Sequence, residues 1–268
     1  MFRKKSVLVQ ELQKVNKSEQ SFLQAREQKK ESFLNQKLAE KVPVKLQETL
    51  DKAFVKAFGV IFEQGTGIIE KTYKKDELQK EFQINEYANE IHKSKKTLKA
   101  FEKKAGNTGR MNLVISGTTG IGMGILGIGI PDIPIFTAMV LKSIYEIALS
   151  YGFEYESEAE RRFILLLIQG AVSYGTEMLE VNEQIDMYIN TSNIPCDYSE
   201  KVQIEITAAG LSKELLYMKF LQGIPIVGAV GGVYDAIYMK RITKYANLKY
   251  RKRFLIIKKL GMFINEKS

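Results

Sequence analysis

The residues that most often carry catalysis are scarce in this chain. It has one histidine, His92 in "NEIHKSKK", and one cysteine, Cys196 in the polar stretch "NTSNIPCDYS". Nucleophilic catalysis needs an activated Ser, Cys or Thr with a base and an orienting group. Nothing in the spacing brings these two residues together. A zinc site would leave at least two of its ligand positions to carboxylates. The acid-rich runs "EYESEAE" and "EVNEQID" have the spacing of solvated helix starts and faces. Asp132, Glu146 and Asp235 are the acids that a hydrolase or lipid-modifying groove would use, and two of them would have to converge in a pocket. Asp132 also suits the cap of a helix that begins near Pro134. The reading is non-enzymatic, with no metal and no cofactor expected.

The stretch "GTTGIGMGILGIGIPDIP", residues 117 to 134, contains G-x-G-x-x-G at Gly122, Gly124 and Gly127. A dinucleotide site needs those glycines between a strand and a helix. Pro131 and Pro134 would break that helix in its first turns, and no G-K-[ST] occurs in the chain. Gly117, Gly120, Gly124 and Gly127 are instead spaced three, four and three, which on a helix makes a seam for close packing. Gly228 and Gly232 repeat the small-xxx-small spacing in "GIPIVGAVGG". Residues 111 to 130 carry no charge over the length of a spanning helix. Their Gly, Thr and Ser content is only weakly lipophilic, and no second such run returns the chain before Lys142. A buried or shallowly inserted hairpin is therefore preferred to a span.

The remaining pattern is helical. Residues 1–42, rich in Gln, Lys and Glu, read as a solvated helical or coiled-coil arm. After Pro43, a good first-turn residue, the positions Leu46, Leu50, Ala53, Phe54, Ala57 and Ile61 share one helix face. A helix from about Asp76 to Lys104 follows, with Leu78, Phe82, Ile91, Leu98 and Phe101 turned inward and Gly106 as its stop. Ser157 and Glu160 precede "FILLLIQGAV" at capping-box spacing, so the Ser157 side chain takes the Glu160 amide while the Glu160 carboxylate reaches back. That helix, apolar almost all round, should be central. Another runs near 199 to 221, where "KVQIEI" is read as helix.

Of the 268 residues 45% are hydrophobic, and the net charge is +9. Residues 1 to 110 hold 24 Lys/Arg against 15 Asp/Glu, and the rest is balanced. A basic balance favours an anionic partner. In the last helix Lys240, Arg241, Lys244, Lys249, Arg251, Lys252 and Arg253 are interleaved with apolar residues, and no acid occurs from Lys240 to Lys259. Such a helix can lie on an anionic membrane surface. No nucleic-acid module accompanies it, so nucleic acid is not expected. The N-terminal "VLV" is too short for a secretory signal, and residence in the cytoplasm is expected.

Pro131, Asp132, Ile133 and Pro134, then Tyr151, Gly152 and Phe153, then Ser157, Glu158, Glu160, Arg161 and Arg162 together resemble the EcsC family. "GIPIVGAVGGVYDAIYMKRITKYANLKYRKRF" is similar to its C-terminal half. The resemblance covers roughly residues 50 to 258. It implies a helical, cytoplasmic, membrane-peripheral bacterial protein linked to an ABC-type exporter, and it carries over no catalytic residues.

The expectation is an all-α bundle over 43–268 preceded by the arm. It would serve as a non-enzymatic accessory protein on the inner face of the cell membrane, beside an ABC transporter. The rivals are the hydrolase or lipid-modifying enzyme and a soluble oligomeric scaffold driven by the arm.

Overall fold

A computed structural model describes residues 6–28, 41–63, 67–115, 132–222 and 231–265. They form α1 (Val7–Gln24), α2 (Val44–Glu63), the single turn α3 (Gly67–Glu70), α4 (Lys75–Ile91), α5 (Lys95–Ile115), α6 (Asp132–Ser150), α7 (Glu158–Val172), α8 (Gly175–Thr191), α9 (Glu200–Gln222) and α10 (Gly231–Asn265). No strand occurs among the described residues, and the fold is all-α.

Two helices make the centre. α7 is buried from Arg162 to Val172. α6 is buried from Val140 to Ser150. Helices α8, α9 and α10 pack around α7, while α2, α4, α5 and α10 pack around α6. The window Ile133–Ser150 is long and apolar enough to cross a membrane, but 83% of it is buried in the bundle, as in the core helix of a globular domain. Burial of this kind, at roughly 25 cal/mol per Å² of apolar surface, is the main favourable term in holding such helices together.

α2 follows the expected face, with Leu50, Ala53, Phe54 and Ala57 buried against α9 and α6. The Ser157 cap is present: its Oγ accepts from the Glu160 amide at 3.2 Å. The return half of the capping box is not made, because the Glu160 carboxylate is taken by Tyr250 and Arg253.

Three expectations change. The single helix from Asp76 to Lys104 is two helices, broken at His92–Ser94. Ser94 Oγ accepts from the Thr97 amide at 3.3 Å while Thr97 Oγ1 accepts from the Ser94 amide at 3.2 Å, so α5 has its own reciprocal cap. Gly106 lies inside α5 and does not stop it. Ile91, read as buried, is 56% exposed.

The second change concerns residues 1–42. Their described part includes α1, which lies against α10 as a member of the bundle and not as a solvated arm. Its inward positions Leu8, Glu11, Val15, Glu19 and Phe22 recur at three and four, and Phe22 stacks on Tyr245 at 4.7 Å. Two of the five are acids, which is why a sequence pattern alone reads the helix as solvated.

The third is local. α6 begins at Asp132 itself and not at Pro134, a difference within the usual one or two residues at helix ends.

Candidate functional site

The helix predicted to carry its cations outward is the one with the most acids packed against it. α10 touches α1, α5, α6, α7, α8 and α9, so it has little outward face. Lys249 is fully buried. Its ammonium donates to Glu19 of α1 and, at 2.7 Å, to Asp186 of α8. Lys252 shares the same two carboxylates, at 2.8 Å from Glu19 and 2.9 Å from Asp186. Arg251 reaches Glu11 of α1 at 2.7 Å and Glu102 of α5 at 2.6 Å. Arg241 donates to the Tyr174 hydroxyl at 2.9 Å and lies 3.6 Å from Glu214 of α9. Lys240 and Lys244 are exposed.

Burial pushes the Lys249 ammonium down, against the upward pull of Glu19 and Asp186. Lys252 suffers burial too, but its hydrogen bonds and charge interactions with Glu19 and Asp186 together outweigh it, and the net direction is up. Two carboxylates from two helices therefore hold two ammoniums from a third, an arrangement that loses several kcal/mol if a carboxylate is removed and both ammoniums stay buried.

A second cluster explains the motif residues. Glu160, buried at the start of α7, accepts from Tyr250 Oη at 2.7 Å and from Arg253 Nη1 at 2.8 and 2.9 Å. The Arg253 guanidinium lies 4.2 Å from the Phe153 ring centroid, 5.2 Å from that of Phe163 and 5.1 Å from that of Tyr188, an aromatic box around a cation. Burial alone would lower the Arg253 pKa, yet the charge and hydrogen bond of Glu160 together with Tyr250 and Tyr188 outweigh it, and the net direction is up.

The residues beside Glu160 each reach a different element. Arg161 forms a two-pronged pair with Glu200 at 2.5 and 3.3 Å. Arg162 donates to Gln184 at 3.4 Å. Tyr151 donates to Asn247 at 2.8 Å. Gly152, next in the chain, has φ +79°, and a Cβ there would overlap the ring of Phe82, so both backbone and space require glycine. The "YGF" and "SEAERR" stretches are thus one joint that fixes α7 to α8, α9 and α10.

The acids named for an enzyme are not brought together as a group. Asp132 and Glu146 stand fourteen residues apart on α6, about 21 Å along the axis at 1.5 Å per residue. Glu146 is buried at 8% exposure. The side chains of Asp132 and Asp235 lie outside the described residues. A shallow groove of about 430 Å³ between α2 and α9 is lined by Asp51, Lys52, Val55, Lys56, Glu205 and Ala209, with Glu146 elsewhere. His92 and Cys196 are exposed. Among the described residues no group of three or more His, Cys, Asp or Glu is arranged for a metal.

Of the glycine seam, Gly117, Gly120, Gly124, Gly127 and Gly228 lie outside the described residues; Gly232 is the second residue of α10. The hairpin expected over 111–130 is likewise described only to Ile115, where α5 ends.

Two features were missed. Tyr73 Oη donates to Tyr155 Oη at 2.6 Å, and Tyr155 Oη donates to Glu70 at 2.5 Å. Tyr145 stacks on Tyr155 at 4.1 Å. Burial raises the pKa of all three tyrosines, which keeps them protonated. The chain of hydroxyls ties α3 to the α6–α7 connection. Nothing local in sequence links residues 70, 73, 145 and 155.

The second feature was legible. Lys95, Lys96, Lys99 and Lys103 of α5 are exposed and form no ion pair among the described residues. At 100° per residue they fall within an arc of about 100°, opposite the buried Leu98, Phe101 and Ala105. Lys14 of α1 joins them: contact with Lys14, its charge, and then that of Lys99 lower the Lys95 pKa, the mark of cations crowded together. The run "KSKKTLKAFEKK" shows this spacing in sequence.

A model of the EcsC protein family matches residues 7–255, which includes α1 as well as the joint and α10 as far as Leu255. Among curated proteins, Protein EcsC of Bacillus subtilis (strain 168) is similar, with 29% identity over 137 residues, 51% of this chain and 51% of that protein. The chain thus spans about half the length of that relative. No solved structure matches.

Proposed function

The chain belongs to the EcsC family, and from that membership and the charge layout of α5 we infer that it is a non-enzymatic, membrane-peripheral accessory protein. It works on the cytoplasmic leaflet, beside a transporter of the ABC type. The observation that supports this reading is the lysine row of α5. With five of the seven predicted contact cations of α10 engaged by acids or tyrosine inside the bundle, the surplus positive charge of the chain is displayed elsewhere. α5 displays it as an unpaired cluster, on the helix that runs directly into the uncharged stretch 111–131. Near-surface cations each contribute about 1 kcal/mol toward an anionic leaflet.

The test is cosedimentation of the whole protein with vesicles of phosphatidylcholine mixed with phosphatidylglycerol, at low and high salt. Binding to the mixed vesicles, weak binding to phosphatidylcholine alone and release by salt are expected. A protein that stays in the supernatant with anionic vesicles at low salt would end the membrane reading.

A further inference from the structure

α4 and α5 form an antiparallel pair. Phe82 faces Phe101 at 5.6 Å, Glu81 pairs with Lys104 at 2.6 Å, and Asn89 accepts from Thr97 at 3.0 Å. Residue numbers rise on one helix as they fall on the other, which places Ile84 to Ile91 alongside Lys95 to Phe101.

The core side of α4 holds Leu78, Phe82 and Asn89. Its opposite side exposes Ile84 at 67%, Tyr87 at 67% and Ile91 at 56%. These three recur at three and four, so they form one stripe about 60° wide. Ile91 was read as buried, yet all three of these large apolar side chains lie exposed in line, with no packing partner among the described residues. Scattered exposed apolar residues need no account, but a row beside a cation cluster does.

In a helix pair that packs on the core by one side, the other sides of both helices form one surface. That surface carries the stripe of α4, the lysine row of α5 and, at the turn between them, the exposed Lys93. From Ile84 to Lys99 the exposed charges are Lys93, Lys95, Lys96 and Lys99 against the single acid Glu90, since Glu86 is paired with Lys258 of α10. The combination is that of an interfacial element: isoleucines for the acyl boundary, a tyrosine for the headgroup level, and lysines for anionic phosphates.

We propose that the α4–α5 corner is the lipid-docking surface, with Ile84, Tyr87 and Ile91 inserted at the acyl–headgroup boundary and Lys93, Lys95, Lys96 and Lys99 on anionic headgroups. This rests on the membrane-peripheral reading and deepens it, because it names the element, moves the contact away from α10 and adds insertion to charge. A protein partner would have to match a convex stripe and a like-charged row at once, whereas a leaflet presents apolar interior and negative headgroups in that order of depth.

The chain has no tryptophan, so Tyr87→Trp gives a single reporter in the full-length protein. On phosphatidylcholine–phosphatidylglycerol vesicles its emission shifts to the blue and is quenched by lipids brominated near the headgroup. Ile84→Ser with Ile91→Ser lowers the partition coefficient about tenfold or more and leaves the salt dependence in place. Lys95→Gln, Lys96→Gln and Lys99→Gln each lower it roughly fivefold and flatten the salt dependence. Lys240→Gln with Lys244→Gln, on exposed positions of α10, leaves it unchanged. All of these side chains are exposed, and thermal melts followed by circular dichroism show that each variant is folded.

Vesicle binding with no blue shift from the Tyr87→Trp reporter and with undiminished Ile84→Ser/Ile91→Ser partition would overturn the insertion while leaving the membrane reading standing. Loss of binding in the α10 pair and not in the α5 lysines would return the contact to α10. A wild type that ignores vesicles but is retained by a polyanionic RNA through the same lysines would overturn both.

Discussion

Glu160 of α7 holds Arg253 and Tyr250 of α10 at 2.7 to 2.9 Å, and all three side chains are at most one-eighth exposed. The shape of the site survives Glu160→Gln, but the guanidinium then sits in its aromatic box without a counter-charge. We expect a loss of about 3 kcal/mol, the scale for breaking a buried pair from one side. Urea denaturation followed by circular dichroism measures it. A loss under about 1 kcal/mol would mean that the aromatic rings alone satisfy Arg253.

At Gly152 two penalties coincide, a left-handed backbone and an overlap with Phe82. Gly152→Ala should cost about 3 kcal/mol, of which about 1 to 2 is backbone and the rest overpacking. In combination with Phe82→Leu the overlap is relieved and the backbone part remains. If Gly152→Ala costs as much in the Phe82→Leu background as in the wild type, the ring already moves aside and the overlap contributes nothing.

The shared pair of carboxylates predicts an order of effects. Glu19→Gln leaves Lys249 and Lys252 with Asp186 alone and should cost about 3 kcal/mol. Lys249→Met should cost about 1 kcal/mol or less, because Lys252 still spans both Glu19 and Asp186 and the burial penalty on the Lys249 ammonium disappears with it. Denaturant midpoints for the two variants give the comparison. The reverse order would contradict the sharing.

Alkaline pH provides a fourth test. Burial raises the pKa of Tyr145, Tyr151, Tyr155, Tyr245 and Tyr250. A pKa raised in the folded state contributes stability that is complete below the unfolded value, about 10, and is lost as pH climbs from there toward the folded values. Helicity should therefore fall above about pH 10, and the phenolate absorbance of the buried tyrosines should appear together with that fall. Full tyrosine ionisation while helicity persists would show that these hydroxyls meet solvent.

Where a helix keeps one face to the core and one to water, its residues announce it. α2 does so through Leu50, Ala53, Phe54 and Ala57; α7, buried on all sides, announces itself instead through the Ser157 cap and its unbroken apolar run. α1 and α10 do not, because each satisfies charges of the other. Glu11 and Glu19 look solvated until Arg251, Lys249 and Lys252 are placed against them, and those five residues look like two unrelated charged surfaces when read in order. The break at Ser94 is hidden for a different reason: its cap is made by Thr97 inside a lysine-rich run whose composition suits a helix interior equally well. The lysine row of α5 could be counted in sequence, but the stripe of Ile84, Tyr87 and Ile91 could not. An apolar residue spaced at three and four reads as core until the structure shows which side the core is on.

The pairing of α1 with α10 also sets a timetable for synthesis. Glu11 and Arg251 are 240 residues apart, and Glu19 and Lys249 are 230 apart. At translation rates of about 5–20 residues per second, the first helix leaves the ribosome roughly ten to fifty seconds before the helix that neutralises it exists. During that interval Glu11, Glu19 and Phe22 remain in water, and the nascent bundle is missing its last member. Closure of this fold is therefore a late event, which waits until the chain has been translated past Arg253.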